Sequence, residues 1–487
     1  VHDFAALLAL IGIVIVVSSL LSGAVERSGI PQVAIFIALG AALGPWGLGL
    51  VDVALDSPAL QVIATLALVL VLFSDAISVD TRALRQQRSL SLLILGPGTL
   101  IVAALIAGAA HLLLSLSLAH SAILGAALAS TDPVLLRTVL RNRRLPEATR
   151  VALRIESGMN DAVLLPVVII AMLFATPGEG AVMAALSRSV IGLFLLGPLI
   201  GALVGWIGIV TLVRVRDGIG VRRDYESLYA LGIAFTAFAL AEGVGGSGFL
   251  AAFAAGLVIA VQDLELCDCF LEYGEATAEM FLLLTFVAFG ASLLWTGFDV
   301  ANLRALVFAG FALIVRTATL YPVLARAGLD RRDRRLIAWL GPRGLSSLLL
   351  VLLPVFAGMP GAGELFTITC LVVLLSVVLH GSGIAIWLRR DARRANEERG
   401  TEEARQKETP TPQPSSYAPA EPITIDELRA RLGRGDPLTI IDARSDRTWE
   451  QDERMARGAI RVPPNDAVRT AKELGLDRRG SLVVYCA

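Results

Sequence analysis

Charge is what this sequence is short of. Of its 487 residues, 17% are Asp, Glu, Lys or Arg, against about 25% in a soluble chain, and no lysine occurs before Lys407. That deficit excludes an ordinary soluble enzyme. The four cysteines (Cys267, Cys269, Cys370, Cys486) are too few for a disulfide framework. Cys267 and Cys269 have no histidine or further cysteine nearby to complete a metal site. The four histidines (His2, His111, His120, His380) fall outside every motif below and read as polar residues at span ends. A formal net charge of −1 points to no nucleic-acid partner. The first apolar run has no basic leader, so no cleavable signal peptide is expected.

What is abundant is apolar surface: 55% of residues are hydrophobic and mean hydropathy is +0.70. A membrane-spanning helix needs ~20 predominantly apolar residues, and such runs recur to about residue 390. They predict about thirteen spans, near 4–21, 31–50, 60–76, 90–114, 118–140, 148–174, 186–213, 225–242, 246–262, 276–295, 302–325, 334–356 and 364–388. The eighth and ninth are divided at the GVGGS turn, 243–247. Lys and Arg accumulate in cytoplasmic loops. Arginines cluster in alternate loops (Arg82, Arg85, Arg88; Arg141, Arg143, Arg144, Arg150; Arg214, Arg216, Arg222, Arg223; Arg331, Arg332, Arg334, Arg335) and again after the last span (Arg389, Arg390, Arg393, Arg394). The acidic loop 263–275 is the exception. This predicts a multi-pass cell-membrane protein with its N-terminus outside and its C-terminal tail cytoplasmic. Spans 1–6 and 8–13 then have opposite topology, the inverted six-helix repeat common in secondary transporters. The fold class expected is an all-α polytopic membrane domain over 1–390, a flexible linker over 391–422 and a small α/β tail over 423–487.

Ionisable residues and helix breakers fall together. A charge at mid-membrane costs ~2.5–3.5 kcal/mol on insertion scales. Asp75 lies in LVLFSDA, Asp132 in ASTDPVLL, Glu156, Asn160 and Asp161 in ESGMNDAV, and Arg343 in WLGPRGLSSLLL. Proline removes a backbone donor, and unwound backbone survives in lipid only where protein or a watery cavity satisfies it. Pro133 and Pro342 interrupt the fifth span of each half. Such paired breaks mark a transporter's binding site. Residues four apart share a helix face, which groups Ser157 with Asp161 and Glu156 with Asn160. The first pair offers oxygens suited to a small hard cation. Arg343 needs a counter-ion, and Glu156 is the natural one, with Asp132 and Asp161 as competitors. Arginine stays protonated and no lysine is near, so protons must ride on carboxylates.

These motifs, TDP in one broken helix, ESxxND in the next and GxRG in the later one, resemble the monovalent cation/proton antiporters of the sodium/hydrogen exchanger, NhaP-like type, over residues 1–390. The resemblance implies a homodimer in membrane lipid that exchanges Na⁺, K⁺ or Li⁺ for H⁺ and uses no cofactor. It implies that Asp161 is the ion- and proton-binding carboxylate, with Asp132, Thr131 and Ser157 completing the cation site. Asp75 stands where these antiporters often carry a membrane acid, and Glu156 and Arg343 form a structural ion pair. The Asn160–Asp161 pair looks like the electroneutral branch. Burial disfavours the charged form of a carboxylate, so a proton and a dehydrated cation would bind Asp161 alternately. A pH difference of one unit supplies about 1.36 kcal/mol per proton.

The tail reads as soluble. ITIDELRARL is a helix with Thr/Asp capping residues, and LTIIDAR and SLVVYCA have the form of buried strands. IIDAR (Asp442, Arg444), RGAIRVP (Arg457 to Pro463) and VVYCA resemble a rhodanese domain, with Cys486 as its sulfur carrier. Only one residue follows Cys486, so this partial domain is expected to lack sulfurtransferase activity. Two other functions compete with antiport, which is not an enzymatic activity: a membrane-anchored sulfurtransferase or sulfur sensor using Cys486, and a cation channel. The buried acids argue against the first, because an anchor needs none. The acid–arginine constellation in a repeat argues against the second.

Overall fold

A computed structural model of the chain describes residues 12, 16, 20, 32–79, 84, 87–140, 145–175, 191–220, 223–262, 268–408, 423–436, 438–444, 455–462, 467–475 and 481–485. It divides into two compact units, Val1–Glu397 and Glu398–Ala487.

The first unit is helical. Among the described residues, seven helices are long and apolar enough to cross a membrane: Pro58–Ile77, Arg88–Leu114, Leu118–Leu136, Glu147–Ala175, Phe194–Arg216, Leu303–Ala327 and Ala362–Ile384. Five shorter apolar helices accompany them: Gln32–Leu43, Leu228–Gly243, Gly248–Val261, Met280–Ala291 and Leu345–Phe356. Length alone therefore gives fewer spans than the thirteen expected, and most of the first expected span lies outside the described residues. Helix breaks account for part of the difference. The twelfth expected span is divided into Arg331–Trp339 and Leu345–Phe356, so neither piece reaches ~20 residues.

Small residues let these helices approach closely, as lipid-embedded interfaces require. A Cβ on Gly201 would overlap the Ala251 carbonyl, which brings Gly197–Gly218 onto Gly248–Val261. The expected turn at 243–247 forms: Gly245 takes φ +79°, and Ser247 caps the next helix by accepting from the Leu250 N–H. The largest apolar core cluster includes Phe36, Leu68, Phe286 and Phe366, and two smaller ones lie around Phe73, Ile209 and Ala234 and around Ile94, Leu153 and Ile337. The final helix continues to Glu408, over the first part of the expected linker. The Glu, Arg, Ala and Lys of that stretch are strong helix formers. Residues 409–422 lie outside the described set.

The second unit contains the helix Ile425–Arg434, which Thr424 caps by accepting from the Glu427 N–H. Its three parallel strands are β1 (Leu438–Asp442), β2 (Ile460–Arg461) and β3 (Ser481–Tyr485), in the order β2-β1-β3. Ile441 pairs with Ile460 on one side and Val484 on the other. β1 is buried at its end, as expected. β3 is not: at the edge of the sheet formed by the described strands, it leaves Leu482 46% and Val484 59% exposed. Asp442 is buried beneath Arg444 and the Tyr485 hydroxyl, which donate to it at 2.6 and 2.9 Å. The Arg444 guanidinium holds the Asp442 carboxyl well below the usual carboxylate range, at about 2. Cys486 lies outside the described residues.

Candidate functional site: two crossed helix breaks

The first broken span runs as helix to Ala129, extends at Ser130 (ψ 140°) and resumes at Pro133. Pro133 disfavours helical backbone at the residue before it, which places the break at Asp132. The second broken span stops at Trp339 and resumes at Leu345, around Pro342. The two extended segments meet. The Asp132 N–H donates to the Pro342 carbonyl at 2.9 Å.

Each break exposes helix ends whose backbone groups have no intrahelical partner. Asp132 serves two of them at once: Oδ1 accepts from the Val134 N–H at 2.8 Å and Oδ2 from the Leu345 N–H at 2.9 Å. One buried carboxylate thus faces the positive ends of two half-helices, where negative charge is stabilising. Gly344 permits this, since a Cβ there would overlap Asp132 Oδ2. Arg343 does the converse. Its Nη1 donates to the Ala129 and Ser130 carbonyls at 2.8 and 2.9 Å, capping the negative end of the first half-helix.

Glu156 therefore has a different partner from the one expected. Arg316, from the helix Leu303–Val323, holds it bidentately, Nε to Oε1 at 2.9 Å and Nη2 to Oε2 at 2.6 Å. Arg316 Nη1 also donates to the Ala338 carbonyl at 2.6 Å, near the end of the half-helix Arg331–Trp339. Each arginine thus serves a half-helix end, and only Arg316 also meets the acid. The signal for Arg316 was present in the sequence: a guanidinium in the middle of the apolar run 302–325 needs a counter-ion.

Asp161, 2% exposed, accepts at Oδ1 from the Ser130 hydroxyl at 2.5 Å. Ser346 and Asp132 stand beside the same carboxylate. Asn160 Nδ2 donates to Thr131 Oγ1 at 2.7 Å. Ser157 is buried one turn before Asp161 on its helix. Asp75, half-buried, packs its Cβ near Gly158 of that helix. The structure thus brings Asp132, Asp161, Asn160 and Thr131 together at the breaks, buries Ser157 one turn earlier on the Asp161 helix, and sets Asp75 against that helix. Asp161 Oδ2, Asn160 Oδ1 and Ser347 Oγ are buried without a hydrogen-bond partner. Sequence reasoning passed over Ser130, Ser346 and Ser347, although all three lie in the quoted break motifs. It also set His380 apart. His380 Nδ1 lies 3.2 Å from Ser376 Oγ, which accepts from the Arg343 N–H at 2.7 Å.

The sequence pattern of the family described as sodium/hydrogen exchanger, transmembrane, matches residues 13–390. The chain belongs to the sodium/hydrogen exchanger family. This exchanger-family chain is 29% identical over 378 residues to a K⁺/H⁺ antiporter NhaP2 of Shewanella baltica, an alignment that takes in 76% of this chain and 64% of that protein. It is 27% identical over 352 residues to a Na⁺/H⁺ antiporter NhaP of Pseudomonas aeruginosa, covering 68% and 81% respectively. The chain spans just under two thirds of the length of the NhaP2 relatives it matches. Its fold is that of the antiporter MjNhaP1 from Methanocaldococcus jannaschii, with a TM-score of 0.65 at 19% identity over 79% of this chain and 99% of that one.

Proposed function

We propose that this chain is a secondary antiporter that exchanges one monovalent cation for one proton across the membrane, by alternating access. The observation that carries the reading is the state of the three carboxylates at the breaks. Glu156 is neutralised by Arg316. Asp132 spends both oxygens on backbone N–H groups. Asp161 has only hydroxyl company on Oδ1 and no hydrogen bond on Oδ2. A carboxylate withdrawn from water must be compensated, by a proton or by a cation, and Asp161 is the one left to take either. One exchanging carboxylate, with both arginines permanently charged, makes the cycle electroneutral.

In this reading Ser157 and Thr131 supply neutral oxygens, while Asp132 supplies the negative charge that keeps both half-helices in place. The relatives' K⁺ and Na⁺ names fit a monovalent alkali cation at Asp161. The arginine-rich loops support a cytoplasmic C-terminal side, and the exchanger likeness supports inverted repeats of about six helices each and a homodimer. The tail is read as a partial rhodanese-like unit built on β1 and the Asp442–Arg444 pair. Reconstituted vesicles loaded with a pH dye test the proposal. Wild type should give cation-driven proton flux that persists with voltage clamped, and Asp161→Asn should abolish it while the protein stays folded. Exchange retained by Asp161→Asn refutes the assignment.

A further inference from the structure

Serine and threonine hydroxyls inside a bilayer usually return to their own helix, donating to a carbonyl one turn earlier. Thr369 does this here with Leu365 at 2.8 Å, and Thr285 with Phe281 at 2.7 Å. Ser346 and Ser347 are placed differently. They occupy the first turn of the half-helix Leu345–Phe356, so the residues one turn back, Pro342 and Arg343, belong to the extended break, and the Pro342 carbonyl already accepts from Asp132. Ser346 is 4% exposed and Ser347 0%, yet Ser347 Oγ has no hydrogen-bond partner. Ser346 stands against the Asp161 carboxylate, whose Oδ2 has none either.

A buried polar atom without a partner is costly, and here Asp161 Oδ2, Asn160 Oδ1 and Ser347 Oγ belong to the segments that form the two breaks. The turn that carries the serines is pinned to that break by the Leu345 N–H on Asp132 Oδ2 and by the close approach that Gly344 allows. Structural packing does not explain the choice of serine, because Leu348, Leu349 and Leu350 fill the rest of the same turns with buried apolar side chains.

We infer that Ser346 and Ser347 ligate the transported cation, so that the second broken span contributes neutral oxygens to the ion held by Asp161, and that Ser346 sets which alkali cation is preferred. The inference deepens the antiport reading and rests on it. Hydroxyls suit the role because they replace water oxygens without changing the charge balance at Asp161. A proton on Asp161 needs no such ligands, so these serines act on the cation half of the cycle alone.

The test is a Na⁺, K⁺, Li⁺ and Tl⁺ series on the full chain in proteoliposomes, with wild type, Ser346→Ala, Ser346→Thr, Ser346→Cys and Ser347→Ala. Ser346→Ala should raise the apparent KM for the preferred cation at least fivefold and alter the K⁺/Na⁺ ratio. Its melting temperature should be unchanged. Ser346→Thr, which keeps the hydroxyl, should restore KM. Ser347→Ala should act in the same direction, more weakly. If Ser346→Ala does not fold, Ser346→Cys keeps the volume and replaces a hard oxygen by soft sulfur, so it should shift preference towards Tl⁺ over Na⁺. Wild-type KM and selectivity in Ser346→Ala, or unchanged Tl⁺ preference in Ser346→Cys, overturns the ligand assignment while leaving antiport intact. Absence of cation-driven proton flux in wild type overturns the antiport reading and this inference with it.

Discussion

Replacing Arg316 by Gln asks directly which arginine neutralises Glu156. The two side chains are 3% and 6% exposed and share two bonds of 2.9 and 2.6 Å. Stranding one member of a buried pair costs ~3–5 kcal/mol, and the bond to the Ala338 carbonyl adds about 1 kcal/mol. Arg316→Gln alone is therefore expected to destabilise the protein by roughly 5 kcal/mol, and Glu156→Gln alone by roughly 4. The double variant leaves no uncompensated charge and should recover ~2–3 kcal/mol as coupling energy. The same cycle run with Arg343→Gln should show coupling below ~1 kcal/mol, because Arg343 donates to the Ala129 and Ser130 carbonyls instead. Reversible unfolding in mixed micelles, followed by tryptophan fluorescence over an SDS titration, measures the five variants beside the wild type. Stronger coupling of Glu156 to Arg343 than to Arg316 would refute the pairing and the capping scheme with it.

Other substitutions address the rest of the site. Gly344→Ala should cost at least ~2 kcal/mol by driving a methyl into Asp132 Oδ2, whereas Gly310→Ala, which meets open space, should stay within ~0.5 kcal/mol in the same titration. Asp132→Asn removes the charge opposing two half-helix ends, each worth up to ~2 kcal/mol when buried. Its melting temperature should fall, while the residual transport keeps the wild-type cation KM; a selective rise in KM would instead make Asp132 a ligand. Asn160→Asp places a second titratable carboxylate beside Asp161. If proton count follows free carboxylates, flux in vesicles becomes sensitive to an imposed voltage, and voltage-independent flux would sink that count. In the tail, Asp442→Asn should speed hydrogen exchange of the β1 and β3 amides about tenfold at neutral pH, matching the ~1.5 kcal/mol of a charge-assisted bond. The wild-type stabilisation from Asp442 is complete above ~3.9 and is lost as pH falls through about 2.

The membrane domain, the two breaks and the acids beside them are all legible in the sequence, because each is a local property. Run length, a proline at 133 or 342 and a carboxylate in an apolar stretch depend only on neighbours in the chain. β3 misled for the same reason: SLVVY has the composition of a buried strand, but composition does not say whether a strand lies at an edge. The Ser130 and Ser346 hydroxyls were not legible as site residues because only contacts between different helices set them beside Asp161.

Partner choice was decided in three dimensions. Arg343 had three carboxylates as candidate counter-ions, Glu156, Asp132 and Asp161, and the sequence alone favoured Glu156. Tertiary packing assigned Arg343 to two carbonyls and gave the acid to Arg316, 160 positions away. The physical reason is that an unwound helix leaves carbonyls as well as charges to be satisfied, and in a water-poor interior every one of them competes for the same few donors. Sequence alone marks groups that must be satisfied, but the packing of the two broken spans and their neighbouring helices determines which donor reaches which acceptor.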